Sequence, residues 1–218
     1  MNIKLNKLFE ASDFEATKEI WLNKGDVFLF EGDDAGKYCY LIKSGRLNVQ
    51  LTSGTGHETL LYQLQEGELV GELAIFATNV RSATVTADSK TCLLEIEGDA
   101  FKQSLERVDF LQKLTAHFLC RYVKTHEVVC RLSQPNIGMK LCHYFLTLAD
   151  QTNARMDAAE ILIRLPSHAM MGKLLSCQRE SVTRELKKLI HIDILKPAGK
   201  GLYLLDTNNV NLYLADTL

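Results

Sequence analysis

Residues 71–87 read GELAIFATNVRSATVTA, a pattern that predicts an anion-binding turn. Gly71 lets the chain turn tightly after a strand, so that a short helix over residues 72–76 presents its free N–H groups. Helix N-termini favour anions. Arg81 adds a planar donor fork that suits a phosphate, and the Glu72 carboxylate can accept a hydrogen bond from a sugar hydroxyl. The segment is therefore predicted to bind phosphate and ribose side by side; a salt-bridged Arg81 in an ordinary turn is the alternative.

Short β-rich runs surround this segment between Glu19 and Ile96. They are residues 27–30, 39–43, 47–51, 59–64, 84–86 and 92–96, with glycines in most of the gaps. Many short strands at close spacing are typical of an antiparallel sandwich or barrel. No helix of ordinary length fits into this span, so residues 1–108 are predicted to form a β-barrel domain.

The period becomes helical between Asp109 and Leu132. Seven residues, five of them apolar, follow one another at alternating intervals of three and four positions and form a seam along one side of the helix. They are Leu111, Leu114, Phe118, Arg121, Thr125, Val128 and Leu132. This heptad pattern favours a partner helix, most simply in a parallel homodimer, over packing on the chain's own barrel, which stays the alternative. Arg121 and Thr125 are polar on this seam and suggest a ligand beside the dimer axis.

A helix boundary is predicted at residues 133–136, because Pro135 lacks an N–H group and Asn136 can cap the following helix. Residues 109–136 are accordingly assigned to a dimerisation helix and hinge, and residues 137–218 to a third segment. That segment contains an amphipathic helix at 137–149, a polar loop at 151–157, and a run of strand, helix, turn, helix and hairpin at 161–205. This order predicts a winged helix-turn-helix.

Two short helices carry the charged residues of this last segment. Ser167 can cap a helix over residues 168–175, and Gly172 lies where it must approach a second helix over residues 179–189. Residues 163–201 hold eight basic and three acidic side chains, in a chain whose formal net charge is −2. A local basic segment of this kind suits a nucleic-acid backbone, although a solvated helix face is the commoner cause.

The start of the second helix presents Arg179, Glu180 and Arg184. Arginine reads the O6/N7 edge of guanine and glutamate accepts from N4 of cytosine, so these residues are candidates for base recognition. Lys187, Lys188 and Lys200 suit backbone phosphates instead. An ion-paired surface helix, with Glu180 bonded to Arg184, is the alternative.

From about Trp21 to Asp206 these patterns resemble the cyclic AMP receptor protein (Crp/Fnr) family of bacterial transcription regulators, and residues 71–87 resemble its phosphate-binding cassette. The resemblance implies an α+β fold with an N-terminal double-stranded β-barrel as the cyclic-nucleotide-binding domain, a long dimerisation helix and a C-terminal winged helix-turn-helix. It places Gly71, Glu72 and Leu73 at the ribose, and Arg81, Ser82 and Ala83 at the cyclic phosphate.

The resemblance also implies roles on the long helix and in the DNA-reading motif. Arg121 matches the position that supports the cassette glutamate, Thr125 matches the one that hydrogen-bonds the purine, and His126 replaces a serine. Ser176 stands where glycine is usual, at a cost of about 1 kcal/mol for left-handed geometry. The implied DNA half-site is TGTGA-like. The residues expected to contact DNA are Ser167, Gln178, Arg179, Glu180, Thr183, Arg184, Lys187, Lys188 and Lys200.

Composition excludes several other classes of protein. Every apolar run is shorter than the roughly 18 residues of a membrane span, and residues 1–8 lack the build of a signal peptide, so no membrane association and a cytoplasmic location are expected. The six cysteines are never two or three residues apart and are interpreted as buried, reduced thiols without a metal.

The sequence therefore predicts a dimeric, non-enzymatic transcription regulator. Its expected effector is cyclic AMP, with cyclic GMP as a second possibility, and its expected partners are double-stranded DNA, RNA polymerase and a second copy of the chain. One alternative is a regulator of the same type that ignores cyclic nucleotides or uses another effector. The other is a metal-dependent cupin-type enzyme, which needs clustered ligands that His57 alone cannot supply.

Overall fold

The computed structural model describes residues 8–14, 16–34, 37–54, 56, 58–78, 80–152 and 160–215. The chain divides between His126 and Glu127 into an N-terminal and a C-terminal unit. The division into segments 1–108, 109–136 and 137–218 stays a prediction. His57 and residues 153–157 of the predicted polar loop lie outside the described residues. No helix in the described part of the chain combines the length and the hydrophobicity needed to span a membrane.

The N-terminal unit is built on eight strands in two antiparallel sheets. One sheet has the order β1-β8-β3-β6 and the other the order β2-β7-β4-β5. The strands are β1 (Ala16–Leu22), β2 (Val27–Leu29), β3 (Tyr38–Ser44), β4 (Arg46–Thr52), β5 (Glu58–Gln65), β6 (Leu69–Val70), β7 (Thr84–Ala87) and β8 (Thr91–Glu97). The predicted double-stranded β architecture is confirmed, as two packed sheets. The sequence prediction missed β1 and β6.

The two inner strands of the first sheet, β3 and β8, are buried on both faces. Ile42 and Leu93 face the second sheet and form one core with Leu47 and Val85. Their neighbours Leu41 and Leu94 face the other way, into a second core with Phe9, Phe101 and Phe110. This alternation explains why β8 is buried at all but its last residue. The second core anchors two helices, α1 (Gly98–Ser104) and the start of α2 (Val108–Leu132), against the sheet.

Helix α2 has its exposed apolar stripe one position away from the predicted seam. Leu114 and Phe118 of that seam pack into the core of the N-terminal unit, and Arg121 is also buried. The exposed stripe instead carries Leu119, Tyr122 and Val129, which are 57%, 70% and 60% exposed, with His126 between them. Both stripes repeat at intervals of three and four residues, so spacing alone could not decide which one faces inward. The prediction that the seam through Leu114 and Phe118 faces outward, toward a partner helix, was wrong.

The C-terminal unit combines helices with a three-stranded sheet of order β10-β11-β9. Its elements are α3 (Ile137–Gln151), β9 (Glu160–Arg164), α4 (His168–Leu175), α5 (Arg179–His191), β10 (Leu195–Gly199), β11 (Leu202–Asp206) and α6 (Thr207–Ala215). Phe145, Met171, Leu175, Val182 and Leu205 lie in its buried core. The elements at 161–205 follow the order predicted for a winged helix-turn-helix.

All six cysteines are free thiols. Four are buried, but Cys130 is exposed and Cys177 is half-buried, so the expectation of six buried thiols was wrong for these two. Cys130 lies on the outward side of α2, and Cys177 lies in the turn between α4 and α5. No cluster of metal-ligating side chains is found among the described residues.

Candidate functional site

A partly open cavity lies in the N-terminal unit, with about 380 Å³ of space between its lining atoms, part of which is open to solvent. Strands β4 to β7, the segment after β6 and helix α2 all contribute to its wall. The lining includes seven of the predicted ligand-binding residues: Gly71, Glu72, Leu73, Arg81, Ser82, Ala83 and Arg121. Apolar side chains such as Leu29, Val49 and Val85 complete it. An apolar cavity with a few convergent polar groups is the usual form of a small-molecule site.

Gly71 is required at the start of the cassette for two reasons. Its φ of +81° lies in the left-handed region, and a Cβ atom there would lie 2.5 Å from Nη1 of Arg81. The helix that follows is a π-helix over Ala74–Thr78, so the predicted start at Glu72 was wrong. Its hydrogen bonds span five residues rather than four, and the apolar pattern of the sequence does not distinguish the two spacings.

Arg81 is a buried cation held by backbone carbonyls. Its side chain is 8% exposed, Nη1 donates to the Gly71 carbonyl at 3.0 Å, and Nη2 donates to the Tyr38 carbonyl at 3.1 Å. No carboxylate of the described residues forms an ion pair with it, which contradicts the alternative of a salt-bridged Arg81. A buried charge without a counter-ion is costly, so this guanidinium favours the arrival of an anion in the cavity.

Glu72 is fully buried, and only one of its two carboxylate oxygens accepts a hydrogen bond from the described residues. Its Oε1 accepts a hydrogen bond from Nη1 of Arg121, whose Nη2 donates to the Leu69 carbonyl. Its Oε2 has no hydrogen-bond partner among the described residues. Arg121 therefore holds the cassette glutamate in the manner that the family resemblance implied, and the second carboxylate oxygen can still accept from a hydroxyl group.

His117 is a neighbour of this pair that the sequence interpretation missed. Its Nε2 lies 4.0 Å from Oε1 of Glu72, and its side chain is 1% exposed. The ring meets Phe9 edge to face at a centroid distance of 5.7 Å. Burial, and then the charges of Arg121 and Lys124, lower the pKa of His117 to about 2, so the imidazole is neutral at physiological pH. Its position one helical turn before Arg121 was the available sequence signal.

Tyr62 is a second residue that the sequence interpretation missed. It lies on β5 opposite Val49 and lines the cavity. The guanidinium of Arg121 lies 5.7 Å from the centre of its ring, a cation–π contact. Thr125 and His126, predicted to contact the purine, are not in the lining of this cavity. Thr125 is half-buried and His126 is exposed on the outward stripe of α2.

A second candidate site lies on α5 in the C-terminal unit. Five predicted DNA-contacting residues line one open groove: Arg179, Glu180, Thr183, Arg184 and Lys187. The described residues show no ion pair between Glu180 and Arg184, so both charges remain available for recognition. The hydroxyl of Thr183 is already engaged, because it donates to the Arg179 carbonyl at 3.0 Å and lies 2.8 Å from Nδ1 of His168.

The turn before α5 is tightly constrained. Ser176 adopts left-handed geometry, with φ 51° and ψ 50°. The resemblance implied this geometry, because glycine is usual at this position. A Cβ atom on Gly172 would lie 2.7 Å from the Cys177 carbonyl oxygen, so α4 and α5 meet closely at this glycine. These two features fix the direction in which α5 leaves the turn.

The remaining predicted DNA contacts lie outside the groove. Ser167 caps α4 through a hydrogen bond from the Met170 N–H, and Gln178 is the N-cap residue of α5. Lys188 forms an ion pair with Glu185 at 2.9 Å. Lys200 lies in the turn between β10 and β11. Each of these positions stays a prediction.

Comparison with known proteins finds one matching domain and relatives that cover most of the chain. The sequence model of the cyclic nucleotide-binding domain matches residues 19–108. The cAMP-activated global transcriptional regulator CRP of Escherichia coli O157:H7 is 28% identical over 183 residues, which cover 83% of this chain and 86% of that protein.

Two solved structures share the fold. One is the c-di-GMP responsive global regulator CLP of Xanthomonas campestris, with a TM-score of 0.71 and 21% identity over 86% of this chain and 93% of that one. The other is a transcriptional regulator of the CRP/FNR family from Thermus thermophilus, with a TM-score of 0.65 and 18% identity over 91% and 98% of the two chains. Residues 19–108 thus match a cyclic nucleotide-binding domain, and these relatives, which cover most of the chain, are transcription regulators. Over most of its length, the chain is similar to transcription regulators of the Crp/Fnr family.

Proposed function

We propose that this regulator is a homodimer that binds double-stranded DNA in response to cyclic AMP. The proposal rests on two polar groups of one cavity that lack a partner. The buried guanidinium of Arg81 has no counter-ion among the described residues. Oε2 of Glu72 accepts no hydrogen bond from the described residues. A cyclic phosphate supplies the anion and the ribose 2′-hydroxyl supplies the donor. Ser82 and the backbone around Ala83 complete the phosphate side of the proposed site.

The dimer is proposed to form along the exposed stripe of α2. Leu119, Tyr122 and Val129 expose large apolar surface at heptad spacing, which a second copy of the same helix can cover. Arg121 faces the cavity while its neighbour Tyr122 faces outward, so α2 touches the proposed ligand site and the proposed dimer interface at adjacent positions. His126, on the same stripe, is proposed to reach the base from the dimer side, with Thr125 beside it.

The DNA-binding surface is proposed to be the groove on α5, with a TGTGA-like half-site for each subunit. Arg179, Glu180 and Arg184 are proposed to read base edges, because their side chains line one face of α5 without an ion pair between Glu180 and Arg184. Lys187, Lys188 and Lys200 are proposed to contact phosphates. RNA polymerase is proposed as a further partner, and the cytoplasm as the location.

A different cyclic nucleotide is the second candidate effector. Thr125 and His126 do not line the cavity within one chain, so no observed contact selects adenine over another base. The structural relative CLP is described as responsive to c-di-GMP. Cyclic GMP and c-di-GMP therefore belong in every titration beside cyclic AMP.

Isothermal titration calorimetry on the wild-type protein and on Arg81→Ala tests the ligand assignment. Loss of the buried charge should weaken cyclic AMP binding at least tenfold, because only neutral donors then face the phosphate. Arg46→Ala is the matched control, since Arg46 lies in the same unit but pairs with Asp88 at 3.4 Å and does not line the cavity. Equal affinities for the wild type and Arg81→Ala would remove Arg81 from the site.

A further inference from the structure

We propose that Tyr62 is a base-contacting residue of the nucleotide site, whose hydroxyl group hydrogen-bonds the exocyclic substituent at position 6 of the purine. The inference rests on the proposed function, because it names the base contact of that same site. It adds a residue from the β-sheet to a site whose other polar side chains come from the cassette and from α2.

The first argument is the inventory of polar side chains in the cavity lining. Glu72 and Arg121 are bonded to each other, and Arg81 is held at the Gly71 carbonyl, where the phosphate is proposed to bind. Neither Thr125 nor His126 contributes to the lining. Ser82 is proposed at the phosphate, which leaves Tyr62 as the lining side chain that combines an aromatic face with a hydroxyl group.

The second argument is the state of the Tyr62 side chain. The guanidinium of Arg121, 5.7 Å from the ring centre, restricts the orientation of the ring. The hydroxyl has no hydrogen-bond partner among the described residues. Burial raises the pKa of Tyr62, so the phenol stays protonated at physiological pH and can still donate. A hydroxyl without a partner, on a side chain that lines the cavity, is suited to bond a ligand atom.

The chemistry of the hydroxyl matches the position at which the two purines differ. Adenine carries an amino donor at carbon 6 and guanine carries a carbonyl acceptor there. A phenol hydroxyl is both a donor and an acceptor, so rotation about one bond lets Tyr62 serve either base. Tyr62 should therefore strengthen the binding of both cyclic nucleotides relative to the binding of a purine nucleotide without a substituent at carbon 6.

The experiment is a calorimetric cycle of three proteins and three ligands. The proteins are the full-length wild type, Tyr62→Phe and the control Tyr40→Phe. Tyr40 lies in the same β core but does not line the cavity. The ligands are cyclic AMP, cyclic GMP and the 3′,5′-cyclic phosphate of unsubstituted purine riboside, which keeps the ring, the sugar and the phosphate. The phenylalanine variant retains the ring, so it should fold like the wild type.

The wild type and Tyr40→Phe should bind their preferred cyclic nucleotide at least fivefold more tightly than the unsubstituted analogue, a factor typical of one neutral hydrogen bond. Tyr62→Phe should weaken that nucleotide about fivefold and leave the analogue unchanged, so that the ratio falls close to one. An unchanged ratio, or equal weakening of all three ligands, would overturn the role of Tyr62 while leaving the proposed function intact. Failure of the wild type to bind any of the three would instead refute the proposed function, and this inference with it.

Discussion

Replacing His117 by leucine should remove a pH dependence from the stability of the N-terminal unit. His117 is 1% exposed, and burial holds its pKa at about 2 against 6.5 for an exposed histidine. Below pH 6.5 the unfolded chain therefore binds a proton at this residue that the folded chain does not bind. Stability must rise with pH between these two values and fall as the solution is acidified.

The magnitude follows from the proton linkage. Each pH unit between the two pKa values is worth about 1.4 kcal/mol, so acidification from pH 7 to pH 5 should cost about 2 kcal/mol at His117 alone. His117→Leu lacks the titrating group, and the leucine side chain can pack against Phe9. The wild type should thus lose about 2 kcal/mol more than the variant over this interval.

Urea unfolding followed by fluorescence is the assay. Trp21 is the single tryptophan of the chain and lies on β1, in the same unit as His117. His191→Gln, at an exposed position in the C-terminal unit, is the histidine control and should behave like the wild type. If the wild type and His117→Leu lose equal stability between pH 7 and pH 5, the imidazole is not held neutral beside Glu72 and the reasoning is refuted.

Three further predictions concern the other surfaces. Arg184→Ala should reduce the free energy of binding to specific DNA by about 1–3 kcal/mol and relax discrimination at one guanine. Lys188→Ala should instead weaken the binding of specific and random DNA equally. Filter binding over a series of salt concentrations distinguishes the two variants. Gly172→Ala should destabilise the C-terminal unit by about 1–3 kcal/mol in thermal unfolding, because its Cβ would meet the Cys177 carbonyl oxygen at 2.7 Å, while Gly54→Ala, with open space around it, should cost less. Tyr122→Glu should shift the dimer to monomer in analytical ultracentrifugation; an intact dimer would exclude the exposed stripe of α2 as the interface.

The sequence predicted local structure best at positions where a residue type has one main structural role, such as capping a helix. Asn136 caps α3, Ser167 caps α4, and Ser176 takes the left-handed turn, because a capping side chain or a tight helix pair leaves few alternatives. The strands of the N-terminal unit were located for a similar reason, since glycines with positive φ separate several of them. The joint spacing of Gly71, Glu72 and Arg81 also predicted residues that share one cavity.

The misses concern features that depend on tertiary contacts. The outward stripe of α2 repeats with the same period as the inward one, and only the packing of Leu114 and Phe118 decides between them. Strand β6 has two residues, too few for a pattern. Tyr62 and His117 are ordinary core-forming residues by sequence, and their place beside Glu72 follows from the pairing of distant segments.

Binding of a fluorescent TGTGA palindrome, measured by anisotropy with and without saturating cyclic AMP, tests the central claim most directly. A ligand can shift DNA affinity only if the two states of the protein differ in their contacts with it, and α2 is the element proposed to carry that difference. Cyclic AMP should tighten specific DNA binding at least tenfold, about 1.4 kcal/mol of coupling, and bound DNA should tighten cyclic AMP by the same factor. An identical DNA affinity with and without saturating cyclic AMP would contradict the account of this protein as a cyclic AMP switch.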